Sequence, residues 1–152
     1  MNSFSQYKLI ITSAILFTIF YNFSFFNNLL NTYPFEGMNI VYICSIGILL
    51  TCLVIFLFTL LSSKYTTKAL LITVISISAF TAYFMDTYHV IIDDGMIRNT
   101  LQTNIEESAD LFSIKLIAYI FLLAILPSYF IYKIKIEYKP FKQEVLAKVK
   151  TL

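Results

Sequence analysis

Residues 40–61 read IVYICSIGILLTCLVIFLFTLL, 22 residues without a charged side chain. A helix needs about 20 predominantly apolar residues to cross the roughly 30 Å hydrocarbon core of a bilayer, and this stretch supplies them. Working outward, three further runs carry almost no charge: 9–30 before it, and 69–86 and 112–132 after it. The uncharged cores of the last two are near the short limit for a span and borrow flanking residues such as Leu111, Phe112 and Ile114. Composition agrees. The chain is 59% hydrophobic and 13% charged, with a mean hydropathy of +0.78, whereas a soluble domain carries about 25% charged residues. An ordinary soluble domain is excluded, and so is a disordered chain, which would be poor in apolar residues. The first run is too long, and too polar at its end, for a cleaved leader. The expected fold is all-α: a polytopic membrane bundle with four spanning helices.

Orientation follows from the basic residues. With the N-terminus in the cytoplasm, nine of the eleven (Lys8, Lys64, Lys68, Lys133, Lys135, Lys139, Lys142, Lys148 and Lys150) lie on the cytoplasmic side. Arg98 and Lys115 alone lie opposite. The acids run the other way: Glu36, Asp86, Asp93, Asp94, Glu106, Glu107 and Asp110 outside, Glu137 and Glu144 inside. Both ends of the chain are therefore expected in the cytoplasm. The basic tail 133–152 would rest on anionic lipid there, and the long acidic loop 87–111 would be periplasmic. Tyr33, Tyr65, Tyr88, Tyr132 and Tyr138 fall near the boundaries, where amphipathic rings prefer to sit.

Several chemistries are absent from the pattern. Arg98 is the one arginine, whereas base reading leans on arginine forks, so no nucleic-acid partner is expected. His89 has no second imidazole with which to build a histidine metal site; it reads as a surface or interfacial residue. Cys44 and Cys52 stand about 12 Å apart on a helix, beyond disulfide reach, and read as small buried packing residues. The series Phe17, Phe20, Tyr21, Phe23, Phe25, Phe26 reads as packing and lipid contact. No ionisable residue stands at a span centre, which weighs against ion-coupled transport. No activated nucleophile, glycine-rich phosphate loop or metal cluster can be drawn, so no catalytic or metal-binding residue is expected within the chain.

The loop between the third and fourth runs is the one extramembrane segment long enough to form a site. Residues 94–108 read as an interfacial helix, with Asp93 or Asp94 capping it rather than holding a cation. Ile97, Leu101 and Ile105 form an apolar stripe. Asn99, Thr103 and Glu107 form a second row about 12 Å long, about 200° around the helix. An amide, a hydroxyl and a carboxylate in a row suit a zwitterionic head group: the carboxylate pairs with an ammonium, while the other two serve phosphate oxygens. A solvated amphipathic helix is the plainer alternative. Asn22, Ser24, Asn27 and Asn28 cluster in the outer half of the first run and face either the bundle interior or the interface.

At these residues the chain resembles a known family. Tyr83-Phe84-Met85-Asp86-Thr87-Tyr88, Ile92-Asp93, Met96-Ile97-Arg98-Asn99, Leu101-Gln102-Thr103, Glu107 and Asp110-Leu111 are similar to the membrane-domain signature of bacterial phosphoethanolamine transferases that modify lipid A, including the mobile colistin-resistance enzymes. The likeness extends through Asn22-Phe23-Ser24-Phe25-Phe26, Asn31-Thr32-Tyr33-Pro34, Leu61-Ser62-Ser63 and Leu126-Pro127-Ser128. It implies a membrane domain of five helices in the inner membrane, followed by a periplasmic domain with zinc and a threonine nucleophile. It implies phosphatidylethanolamine as donor and lipid A as acceptor, and it puts the donor head group on Asn99, Thr103 and Glu107. Thr103 is not the family's nucleophile. The fifth helix, the zinc and the catalytic domain would lie beyond Leu152, so this chain is expected to be inactive alone. The alternative is a small non-catalytic four-helix scaffold or regulator of the inner membrane.

Overall fold

The computed structural model describes residues 4–88, Gly95, Arg98 and residues 113–137. Its helices are α1 (Gln6–Phe20), α2 (Phe23–Thr32), α3 (Met38–Leu61), α4 (Thr67–Tyr88) and α5 (Ile114–Lys133). Two residues at each end, β1 (Phe4–Ser5) and β2 (Ile136–Glu137), pair as short parallel strands in the register Phe4↔Ile136. At 24, 22 and 20 residues, α3, α4 and α5 are about 36, 33 and 30 Å long. Each is long and apolar enough to cross a bilayer. The protein is a multi-pass membrane bundle, all-α apart from that strand pair.

The run 9–30, continuous in the sequence reading, is broken. α1 has 15 residues, about 22 Å, and is too short to span alone; α2 leaves it at an angle of 54°. Neither glycine nor proline is responsible. The Asn22 side-chain amide donates to the Phe17 carbonyl (3.2 Å), which also accepts from the Tyr21 amide (3.1 Å), while the Asn22 carbonyl accepts from the Phe26 amide (3.0 Å). One residue thus closes the first helix and opens the second. A short polar side chain competing with the backbone ladder is a recognised cause of such a bend. Counting the bent pair as one crossing, the bundle has four spans.

α4 is the central helix. It buries Thr67, Leu71, Ile75, Ala79, Ala82 and Tyr83, spaced by three or four residues along one side. The main cluster joins Leu9, Ile10 and Ala14 of α1, Val54 and Phe58 of α3, Leu71 and Ile75 of α4 and Ile131 of α5. Lipid is as apolar as leucine, so these contacts stabilise by close packing, which small residues such as Ala14 and Ala79 permit. α3 is peripheral and buries only Ile43, Val54, Phe58 and Thr59. Its other faces are exposed, and Cys44 and Cys52 are exposed free thiols on an open groove shared with Ile15, Ile19 and Phe26. The expectation that they are buried packing residues is corrected: among the described residues α3 has neighbours on one side only.

A second irregularity lies in α5. Residues Ile120–Ile125 form a widened π turn, in which the Leu126 amide reaches the Phe121 carbonyl, five residues back. Pro127 explains it. The proline has no N–H and its ring crowds the carbonyl four residues earlier, that of Leu123, and a wider turn relieves this. Inside a membrane that carbonyl needs a donor from the protein, and the Tyr21 hydroxyl supplies one. The break in α1–α2 and the π turn of α5 therefore meet.

The bundle has two distinct ends. At one, Gln6 Nε2 donates to Thr67 Oγ1 (3.0 Å), Lys68 Nζ donates to the Tyr132 carbonyl (2.8 Å), and the strand pair joins the start of α1 to the chain after α5. Lys8, Lys64, Lys68, Lys133 and Lys135 gather there; this is the basic end. The opposite end holds α2, the last turns of α4 and the first turns of α5.

Candidate functional site

The last turns of α4 bring Tyr83 and Asp86 toward α5 and α2. Ser113 caps α5, its Oγ accepting from the Leu116 amide at 3.1 Å. The same oxygen lies 2.8 Å from the Tyr83 hydroxyl. Tyr83 is 1% exposed. Its ring makes edge contacts with Phe84, Tyr119 and Tyr88 at centroid distances of 5.3, 5.6 and 6.1 Å. α4 ends at Tyr88 and α5 begins at Ile114, and this contact ties the end of the one to the start of the other.

Asp86 Oδ1 accepts from Ser24 Oγ at 2.7 Å and Oδ2 accepts from the Tyr119 hydroxyl at 3.3 Å. One carboxylate thus joins α2, α4 and α5. A negative charge near a helix C-terminus opposes the helix dipole, and the two hydroxyl donors offset that cost. Among the described residues Asp86 has no cationic partner. The result is a polar frame at the membrane edge: a half-buried carboxylate, two hydroxyls from neighbouring helices and an aromatic cluster beneath.

The candidate head-group residues Asn99, Thr103 and Glu107 lie outside the described residues, as do His89, Asp93 and Asp94. The structure describes the residues on either side of their segment, up to Tyr88 and from Ser113. Of the four polar residues noted in the first run, Asn22 makes the bend and Ser24 points inward to Asp86, while Asn27 and Asn28 are exposed. Tyr119 was missed from sequence, because a lone tyrosine in an apolar run carries no signal of a partner 33 residues away. Among the described residues no three His, Cys, Asp or Glu side chains come together to hold a metal ion.

Residues 50–152 match the family model described as phosphoethanolamine transferase EptA/EptB. The phosphatidylethanolamine transferase Mcr-1 of Escherichia coli is 34% identical over 137 residues, covering 90% of this chain and 25% of Mcr-1. The phosphoethanolamine transferase EptA of Helicobacter pylori is 30% identical over 139 residues, covering 88% of this chain and 25% of that protein. The chain thus spans about a quarter of the length of the curated relatives it matches. Among solved structures, the integral membrane lipooligosaccharide phosphoethanolamine transferase A (EptA) of Neisseria meningitidis superposes with a TM-score of 0.90 at 23% identity, over 99% of this chain and 28% of that one. The shared bundle and the matched sequence lead to one conclusion: the chain belongs to the EptA/EptB phosphoethanolamine transferase family and corresponds to its N-terminal membrane domain.

Proposed function

We propose that this chain is the membrane domain of an enzyme that moves phosphoethanolamine from phosphatidylethanolamine to lipid A, and that it helps to hold the donor lipid. The observation that carries the reading is the frame of Ser24, Asp86 and Tyr119, with Tyr83 bonded to Ser113. It anchors both ends of the segment bearing Asn99, Thr103 and Glu107. In this reading Glu107 pairs with the lipid ammonium, while Asn99 and Thr103 serve the phosphate. In this reading the transfer chemistry belongs to a part of the enzyme outside residues 1–152, where zinc would supply a Lewis acid for the phosphoryl oxygens. The described residues of this chain offer zinc no site of their own. In this reading the role of the chain is to bind and orient the donor.

The test is Glu107→Gln in the enzyme that carries this domain. The substitution keeps size and polarity but removes the charge of a charge-assisted pair, so transfer at subsaturating donor lipid should fall by about 10–100-fold. Glu106→Gln, about 100° away on a helix, is the control and should change little. Equal, mild effects of both substitutions at matched expression would leave the row as the wet side of an interfacial helix.

The same reading puts the basic end in the cytoplasm and the chain in the bacterial inner membrane, in line with the nine-to-two division of basic residues. With Cys44 and Cys52 replaced, a single cysteine at the exposed Glu36 should react with an impermeant maleimide added from the periplasm. One at the exposed Thr66 should react only after the membrane is opened. Periplasmic labelling at Thr66 would reverse the orientation.

A further inference from the structure

Away from that frame, α1 and α5 enclose a slot of about 570 Å3. Leu9, Thr12 and Leu16 line it on one side, and Leu126, Phe130 and Ile134 on the other. The lining reaches from Leu9 to Tyr21 on α1 and from Ile134 back to Leu122 on α5, about 18 Å along each helix. The hydrocarbon core is roughly 30 Å thick, so one leaflet contributes about 15 Å. The slot is therefore one leaflet deep. It starts at the basic end and closes near the midplane, where the Tyr21 hydroxyl meets the Leu123 carbonyl.

Size and charge select the occupant. The volume of the slot falls in the roughly 300–1,000 Å3 range of small-ligand sites, and its walls are almost wholly hydrocarbon. At the mouth Lys8 adjoins Leu9, and Lys133 and Lys135 flank Ile134; all three are exposed. Glu137 is the one acid that the strand pair brings to that end. We propose that the slot holds one acyl chain of an anionic glycerophospholipid from the leaflet at the basic end, with its phosphate between Lys8 and Lys135. A zwitterionic lipid would fill the slot equally well but would leave the lysines without a net negative partner.

The protein is reconstituted in nanodiscs of equimolar phosphatidylglycerol and phosphatidylcholine, released into mild detergent and weighed by native mass spectrometry. One phosphatidylglycerol per chain should be retained in preference to phosphatidylcholine. Thr12→Phe puts a ring into the slot from an exposed position and should lower retention at least about tenfold. Lys8→Gln and Lys135→Gln, both at the surface, should each lower the preference for the anionic lipid about fivefold. Retention of no lipid, or of both lipids in the membrane ratio, overturns the proposal. So does undiminished retention by a Thr12→Phe protein that melts like the wild type, or a second copy of the chain found in place of lipid. If Thr12→Phe fails to fold, the two lysine variants decide alone.

Discussion

Tyr83→Ala should lower the stability of the bundle by about 3–5 kcal/mol, the usual range for removing a large buried aromatic side chain. The residue is 1% exposed and stands where α4 meets the first turns of α5. Its removal deletes three edge contacts between rings and the hydrogen bond to Ser113. In lipid the transfer of apolar surface contributes little, because the bilayer is itself apolar. The loss comes instead from the cavity and the broken contacts, since the neighbouring helices relax only partly around the void. Tyr83→Phe separates the two contributions. It keeps the ring and removes the hydroxyl, while Ser113 retains the Leu116 amide as a donor, so its cost should be about 0.5–1.5 kcal/mol. Equilibrium unfolding in mixed micelles measures both. A Tyr83→Ala protein as stable as Tyr83→Phe would mean that the aromatic cluster is not a packing centre.

The membrane architecture was legible because a charge in hydrocarbon is so costly that span limits are written as the places where Lys, Asp and Glu begin. The uncharged run 40–61 needs no partner to be read as a span. Finer features depend on such partners. Asn22 breaks the first run by bonding to the Phe17 carbonyl, and an asparagine among phenylalanines is equally compatible with an unbroken helix. Pro127 does announce an irregularity, but that the Tyr21 hydroxyl would serve the carbonyl it displaces is a contact across 102 positions. Cys44 and Cys52 misled because a small apolar residue says nothing about which side of its helix has neighbours. In the site, Ser24 carried a signal as a polar residue in an apolar run, whereas Tyr119 carried none. The row Asn99, Thr103 and Glu107 is a pattern of helical spacing, and its residues lie outside the described part of the structure.

The frame around Asp86 has a measurable strength. Asp86→Ala should cost about 2–4 kcal/mol, because the hydroxyls of Ser24 and Tyr119 each lose a charged acceptor, at about 1–3 kcal/mol for a donor left unsatisfied. Asp86→Asn is the informative contrast. Its amide oxygen can accept from Ser24, and its NH2 group can donate to the Tyr119 oxygen, so the network survives without charge at a cost of about 1 kcal/mol. The pair Asp86 and Ser24 links α4 to α2, 62 positions apart. Combining Ser24→Ala with Asp86→Ala should therefore destabilise by clearly less than the sum of the two single changes, with a coupling of about 0.5–3 kcal/mol. Purely additive effects would show that the Ser24–Asp86 hydrogen bond does not hold α2 to α4. A coupling in that range would show that α2 and α4 are joined through this carboxylate. On the proposed function the consequence reaches the donor lipid: an enzyme with Asp86→Ala should lose affinity for phosphatidylethanolamine as well as stability, because in that reading Asp86 helps to anchor the segment carrying Glu107. Asp86→Asn, whose anchor is kept, should bind the donor nearly as well as the wild type.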